Sequence, residues 1–320
     1  MRTLLNVYKN DGYMFQSLAI EDLTRNCWIS LVRPTEGELE RVADLTGAPM
    51  DFFRAALDEE ERSRIEVEDD FALVLVNIPL MTNTTNYDTL PLGIVITPDL
   101  IVTVCLQENP VFLEFNEETQ RTFSTAKRTR FLFQILLKAT TFYLRYIRQI
   151  SRANENTEKD LRRFMHNKGI FELMDLQQSL TYFSASIRSN GVVLDRLLRI
   201  RGSAHIAHIL PVFEEDEDLL EDVIIENSQA TQMVEMYSRI IMAMTETFAS
   251  IISNNLNTVM KFLTAMTIIL AIPTMIASFW GMNVIVPFGE RTPYGFIIVI
   301  GICVLLTGIT AFYLIRRKIL

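Results

Sequence analysis

Phe262-Leu-Thr-Ala-Met-Thr-Ile-Ile-Leu-Ala-Ile-Pro-Thr-Met-Ile-Ala-Ser-Phe-Trp280 carries no charged residue. Neither does Gly295-Phe-Ile-Ile-Val-Ile-Gly-Ile-Cys-Val-Leu-Leu-Thr-Gly-Ile-Thr-Ala-Phe-Tyr-Leu-Ile315. At ~1.5 Å per residue each run makes a helix ~30 Å long, the thickness of a bilayer's hydrocarbon core. Two buried helices of a soluble domain would share this composition but not these borders. Lys261 precedes the first run, Arg316-Arg317-Lys318 follow the second, and Trp280, Tyr294 and Tyr313 stand near the ends as interfacial aromatics. The connection 281–294 is too short to hold a domain, so both basic flanks face one side. The positive-inside rule makes that side the cytoplasm. The reading is a two-span protein of the cell membrane with both termini in the cytoplasm.

The rest of the composition agrees. The 320 residues suggest roughly two units. A mean hydropathy of +0.20 in a chain with 22% charged residues means that the apolar residues are concentrated locally. Twelve Gly and ten Pro exclude collagen-like and low-complexity chains. Cys27, Cys105 and Cys303 lie too far apart for a disulfide framework or a CxxC knuckle. With 30 basic against 39 acidic residues the net charge is −9, which argues against a nucleic-acid partner. The opening segment, Met1 to Asn10, has no apolar core of a signal peptide, which places it in the cytosol.

Residues 1–126 read as an α/β domain. Short β-rich runs start at Phe71, Gly93 and Leu100, and helices start near Thr35 and Pro49. Residues 127–209 read as two long helices broken near Asn167-Lys168-Gly169. Between Lys127 and Arg201 fifteen basic residues face six acidic ones. A stalk helix is expected over 210–260, followed by the first membrane helix (261–280), an external loop (281–294), the second membrane helix (295–315) and a basic tail (316–320). In the stalk Leu219, Val223, Ala230, Met233, Tyr237, Ile240, Met244 and Ile251 recur at heptad-like spacing, interrupted by Glu226 and Thr247. No Gly or Pro interrupts 212–272, so stalk and first span form one helix of about sixty residues, ~90 Å long. That fits stalks bundled around an axis.

One face of that helix is polar. Asn257, Met260, Thr264, Thr267, Ala271, Thr274 and Ser278 fall within an arc of about 100°. Ser253, Ser250 and Glu246 extend it backward, and the other side carries Phe262, Ile269, Ile272 and Ile276. Small and hydroxylic residues on a membrane helix serve either close packing or the lining of a wet path. Neither span contains an ionisable residue of the kind a proton-coupled pump needs, which favours a passive, potential-driven pathway.

At the end of the first span stands Trp280-Gly281-Met282-Asn283. With 273–280 before it, Asn257-Thr-Val-Met-Lys261 further back and the two-span C-terminus, the chain resembles the CorA family of magnesium transporters. Residues 61–71 are also similar to the family's soluble domain. The resemblance implies a funnel-shaped homopentamer whose first span lines the pore and whose second lies outside. It implies that Gly281, Met282 and Asn283 form an external selectivity ring, and that Glu246, Asn257, Met260, Ala271 and Thr274 face the pore. It also aligns Asp222 with a regulatory Mg²⁺ site completed by the next subunit's α/β domain, for which Asp88 is the candidate and Asp218 a further ligand. The family's external loop is often more acidic than 284–294, where Arg291 offsets Glu290. A ring of neutral carbonyls suits Mg²⁺, which keeps its waters: dipoles accept hydrogen bonds from the hydrated ion, whereas carboxylates would hold it.

No other chemistry rises to this level. His205 and His208 share a helical spacing but lack companion ligands, and no nucleotide or zincin signature occurs, so no enzyme and no cofactor are expected. The nine carboxylates of 203–237, unaccompanied by Lys or Arg, read either as a solvated helix start or as a divalent-ion sensor. The expected function is Mg²⁺ import. The rivals are a transporter of the same architecture for Zn²⁺, Co²⁺ or Ni²⁺, and a membrane-tethered scaffold that carries nothing.

Overall fold

The computed structural model describes residues 4–82, 86–164, 167–200, 208–284 and 294–317. The chain divides into two compact units, Met1–Thr245 and Glu246–Leu320.

The first unit is built on a seven-stranded mixed sheet. Its strands are β1 (Leu4–Asn10), β2 (Phe15–Leu18), β3 (Cys27–Val32), β4 (Arg64–Glu68), β5 (Phe71–Met81), β6 (Tyr87–Ile96) and β7 (Ile101–Cys105), in the order β2-β1-β3-β7-β6-β5-β4. Only the β3–β7 pairing is parallel. Every residue of β3 and β7 is buried, as befits central strands covered on both faces. Period-two alternation sends Cys27, Ile29, Leu31, Val102 and Val104 to one side, against Leu39, Val42, Phe52 and Phe53. Those four come from helices α1 (Glu36–Thr46) and α2 (Met50–Ala55). Thr35 starts α1 with a reciprocal capping box to Glu38, and Gly47 ends it in the left-handed conformation at φ 71°. Gly93 lets β6 approach α2: a Cβ there would lie 2.6 Å from the Ala56 Cβ. On the opposite side Trp28 donates to the Thr103 hydroxyl at 2.9 Å and packs among Phe112, Phe115 and Phe131.

That second face is covered by α4 (Arg128–Phe164) and α5 (Asn167–Ile200), which follow the short α3 (Pro110–Leu113). Asn167, Lys168 and Gly169, near which the break is expected, form the first turn of α5, and α4 ends at Phe164. The long helix α6 runs Glu214–Trp280, and its portion through Thr245 belongs to the first unit. The seam that α6 buries against its own chain differs from the heptad-like series. The buried seam is Leu220, Val223, Asn227, Ala230, Val234 and Ile241, largely one position away from the expected series. Leu219, Met233, Tyr237 and Met244 are half-buried and Ile240 is exposed. The reason is that α6 packs on its own chain: Asn227 donates to the Ile187 carbonyl, Arg188 pairs with Glu235 at 2.6 Å, and Thr141 donates to Glu226.

The second unit holds the remainder of α6 and helix α7 (Gly295–Arg316). Both helices are long and apolar enough to cross a membrane, and only 6% of the most apolar window of either is buried within the chain. A core helix of a soluble domain would be covered by its own chain; these are not.

Candidate ion pathway and acidic sites

The sequence dictates which face of α6 meets α7. Ala265 is fully buried, and Ile269, Ile272, Ile276 and Trp280 are half-buried on the same side. Across from them Gly295 and Leu314 are buried, and the Trp280 and Phe296 rings lie 6.2 Å apart. The apolar face is therefore the one α7 covers.

The polar stripe is left bare. Asn257, Met260, Thr264, Thr267, Ala271, Thr274 and Ser278 are all exposed, as is Glu246. An open groove of about 540 Å³ runs along this face, lined by Thr267, Leu270, Ala271, Thr274, Met275 and Ser278. Thr267 and Thr274 donate to the Leu263 and Leu270 carbonyls at 2.8 and 2.9 Å. Their donors are thereby spent inward, and their oxygen lone pairs remain as acceptors on the exposed face.

The helix end positions the Gly-Met-Asn triplet. Gly281 donates to the Ala277 carbonyl at 2.9 Å, closing the last turn, and a Cβ at this glycine would meet that same oxygen at 3.2 Å. The Val284 amide then folds back on the Met282 carbonyl at 2.8 Å, which puts Asn283 at the apex of a three-residue turn. Gly281, Met282 and Asn283 are exposed, and the Asn283 amide has no hydrogen-bond partner among the described residues. Glu290 and Arg291 lie outside the described residues. So does Lys318, whereas Arg317 lies 5.6 Å over the Tyr313 ring.

With this geometry in place, comparison with known proteins is decisive. The family model described as CorA-like Mg2+ transporter protein matches residues 24–317. The chain belongs to this family. It is 27% identical, across 99% of both chains, to a protein of Methanocaldococcus jannaschii described as cobalt/magnesium transport protein CorA. The complete structure of the CorA magnesium transporter from that organism superposes with a TM-score of 0.83 at 24% identity, covering 99% of this chain and 98% of the other. A full-length CmaX structure superposes at 0.74 with 16% identity, covering 99% and 98%. These superpositions establish the CorA fold: an N-terminal α/β domain, a long helix and two C-terminal apolar helices. The CorA family is one of membrane transporters rather than enzymes.

The acidic residues of this CorA-like chain separate into two groups. Asp216 is 3% exposed: it accepts from the Phe213 amide and from Arg130 at 3.2 Å, while Glu215 lies 3.7 Å from Arg130. These two anchor the start of α6 to α4 and are structural. Glu214, Asp218, Glu221 and Asp222 are exposed and form no ion pair among the described residues. Asp88 is half-buried beside Tyr143, whose hydroxyl is pushed well up chiefly by burial and further by the Asp88 charge. Asp88 lines a pocket of about 170 Å³ with Asp175, Thr82 and Asn86; Asp222 is not among its lining residues. Asp175, on α5, escapes a sequence reading because nothing along the chain links it to Asp88. Among the described residues no three His, Cys, Asp or Glu converge within one chain. His208 pairs with Asp70 at 3.2 Å, and His205 lies outside the described residues.

Proposed function

We propose that the chain is a channel-like importer of Mg²⁺, assembled as a homopentamer in the cell membrane with α6 facing the axis and α7 facing lipid. The observation that carries this reading is the sidedness of α6. Its isoleucine face is taken by α7, and its acceptor-bearing face stays open and ends at Gly281-Met282-Asn283. Around an axis, five Asn283 carbonyls would accept hydrogen bonds from the waters of a hydrated ion, with Gly281 beneath them. A membrane potential, inside negative, favours entry of a doubly charged ion by ~4.6 kcal/mol per 100 mV, so no coupled proton is needed.

The relative's description supports Co²⁺ as a second ion. The test is uptake into proteoliposomes under an imposed potential, with Mg²⁺, Co²⁺, Ni²⁺ and Zn²⁺ compared. Mg²⁺ is expected to enter without a pH gradient. Uptake of Zn²⁺ alone would replace this reading with that of a zinc transporter of the same build, and no uptake with that of a scaffold.

Cytosolic Mg²⁺ is proposed to close the pathway. Asp222 and Asp218 on one subunit would share a hydrated ion with Asp88 of the next, and Asp175 joins Asp88 from its own chain. Few carboxylates and several retained waters match the way Mg²⁺ is bound.

A further inference from the structure

Pro273 interrupts α6 in mid-span. Proline has no amide hydrogen, so the Ile269 carbonyl, which residue 273 should serve, loses its donor. In hydrocarbon such an acceptor has no water to turn to, and proline is tolerated where a neighbouring helix supplies a hydroxyl.

The second helix holds a hydroxyl with the opposite deficit. Thr310 donates to the Leu306 carbonyl at 2.9 Å, as membrane threonines do. Thr307 does not follow it: its Oγ1 is sealed from solvent and has no hydrogen-bond partner among the described residues. The two deficits lie at one depth. The Trp280–Phe296 contact fixes the register of the antiparallel pair. Ile269 is eleven residues before Trp280, and Thr307 eleven after Phe296. Eleven residues are close to three full turns, ~16 Å, so each residue also lies on the same face as its ring. Both belong to the faces the two helices share, and both are half-buried.

We propose that Thr307 donates its hydroxyl through one trapped water to the Ile269 carbonyl freed by Pro273, and thereby ties the pore-lining helix to α7 at this depth. Thr307 is a positioning residue: it acts on Thr267, Ala271 and Thr274 through the helix that carries them and touches no ion. This rests on the proposed pore role of α6 only for its effect on flux, not for the bond itself.

The experiment is a cycle on the full chain in proteoliposomes: wild type, Thr307→Val, Pro273→Ala and the double variant, with Thr307→Ser as the conservative rescue. Thermal unfolding in lipid reads the bond whether or not the protein transports, and Mg²⁺ uptake reads its consequence. Thr307→Val is expected to lower the maximal uptake about three- to tenfold, the range of single interhelical hydrogen bonds in membranes, with half-saturating Mg²⁺ unchanged. It is also expected to lower the melting temperature. Thr307→Ser should restore both. On the Pro273→Ala background, where an amide again serves Ile269, Thr307→Val should change neither. Equal effects of Thr307→Val on both backgrounds, or failure of serine to rescue, would overturn the proposal in favour of simple packing. If Pro273→Ala does not assemble, the valine and serine variants decide between them. A melting cycle as expected in a protein that carries no Mg²⁺ would uphold the bond and sink the transport reading instead.

Discussion

Residues of the same apolar types meet opposite fates in the two units. In Met1–Thr245, Phe53, Phe131, Leu73 and Ile29 are sealed inside the sheet and its helices. In Glu246–Leu320, Ile297, Leu305 and Phe312 are each more than 60% exposed. The first unit buries its apolar surface with its own chain. The second leaves that surface uncovered by its own chain. Within the second unit the contrast recurs on a single helix, because α6 gives Ile269, Ile272 and Ile276 to α7 and keeps its hydroxyls bare. Exposure of α7's apolar residues leaves them without cover from their own chain, and the exposed hydroxyls of α6 mark a candidate water path.

The sharpest way to break this comparison is at the end of the bare face. Asn283→Ala removes the amide at the apex of the turn without touching the α6–α7 contact. Mg²⁺ uptake is expected to fall to the level of empty vesicles while the assembled protein keeps its size on gel filtration. Normal uptake with unchanged ion preference would detach the Gly-Met-Asn turn from selectivity.

Phe53→Ala and Phe312→Ala compare the two kinds of environment directly. Phe53 is fully enclosed, so its truncation should cost the first unit about 3–5 kcal/mol. Phe312 stands on an exposed face of α7, and its truncation should leave the melting of the membrane unit unchanged. Equal losses would mean that Phe312 is covered by something other than lipid.

The smallest expected effect separates the two groups of carboxylates. An exposed charge pair is worth about 0.2–1 kcal/mol, so Asp222→Asn should raise the Mg²⁺ concentration that half-protects α6 from proteolysis by no more than about fivefold. Flux inhibition by internal Mg²⁺ should shift in parallel. Identical titrations of variant and wild type would return Asp222 to a solvated helix start.

How much of this is legible in sequence follows from the range of the signals. The apolar spans, the helix start near Thr35 and the polar stripe are local and periodic, and they read directly. The edge and N-terminal strands β1, β2 and β4 carry mixed polar sequences, and long-range pairing rather than propensity makes them strands. The stalk seam is displaced because α6 meets its own α4 and α5 as well as presenting an outward face, and a heptad pattern cannot tell one partner from the other. Asp216 and Glu215 look like their neighbours in sequence; only the fold, which brings Arg130 to them, distinguishes an anchor from a solvated carboxylate. Asp175 joins Asp88 across 87 positions of chain for the same reason.

The central claim is that one face of α6 is wet and the other is not. Its most direct test is the reaction of single cysteines with a small, charged, water-soluble thiol reagent in the assembled, lipid-embedded protein, on a Cys303→Ala background. Cysteines at Thr267 and Thr274 are expected to react, and to be protected by Mg²⁺. Cysteines at Ile269 and Ile276, on the face that α7 covers, are expected to stay unmodified. Reaction at the isoleucine positions with none at the threonines would contradict the account, leaving the stripe as a helix-packing surface.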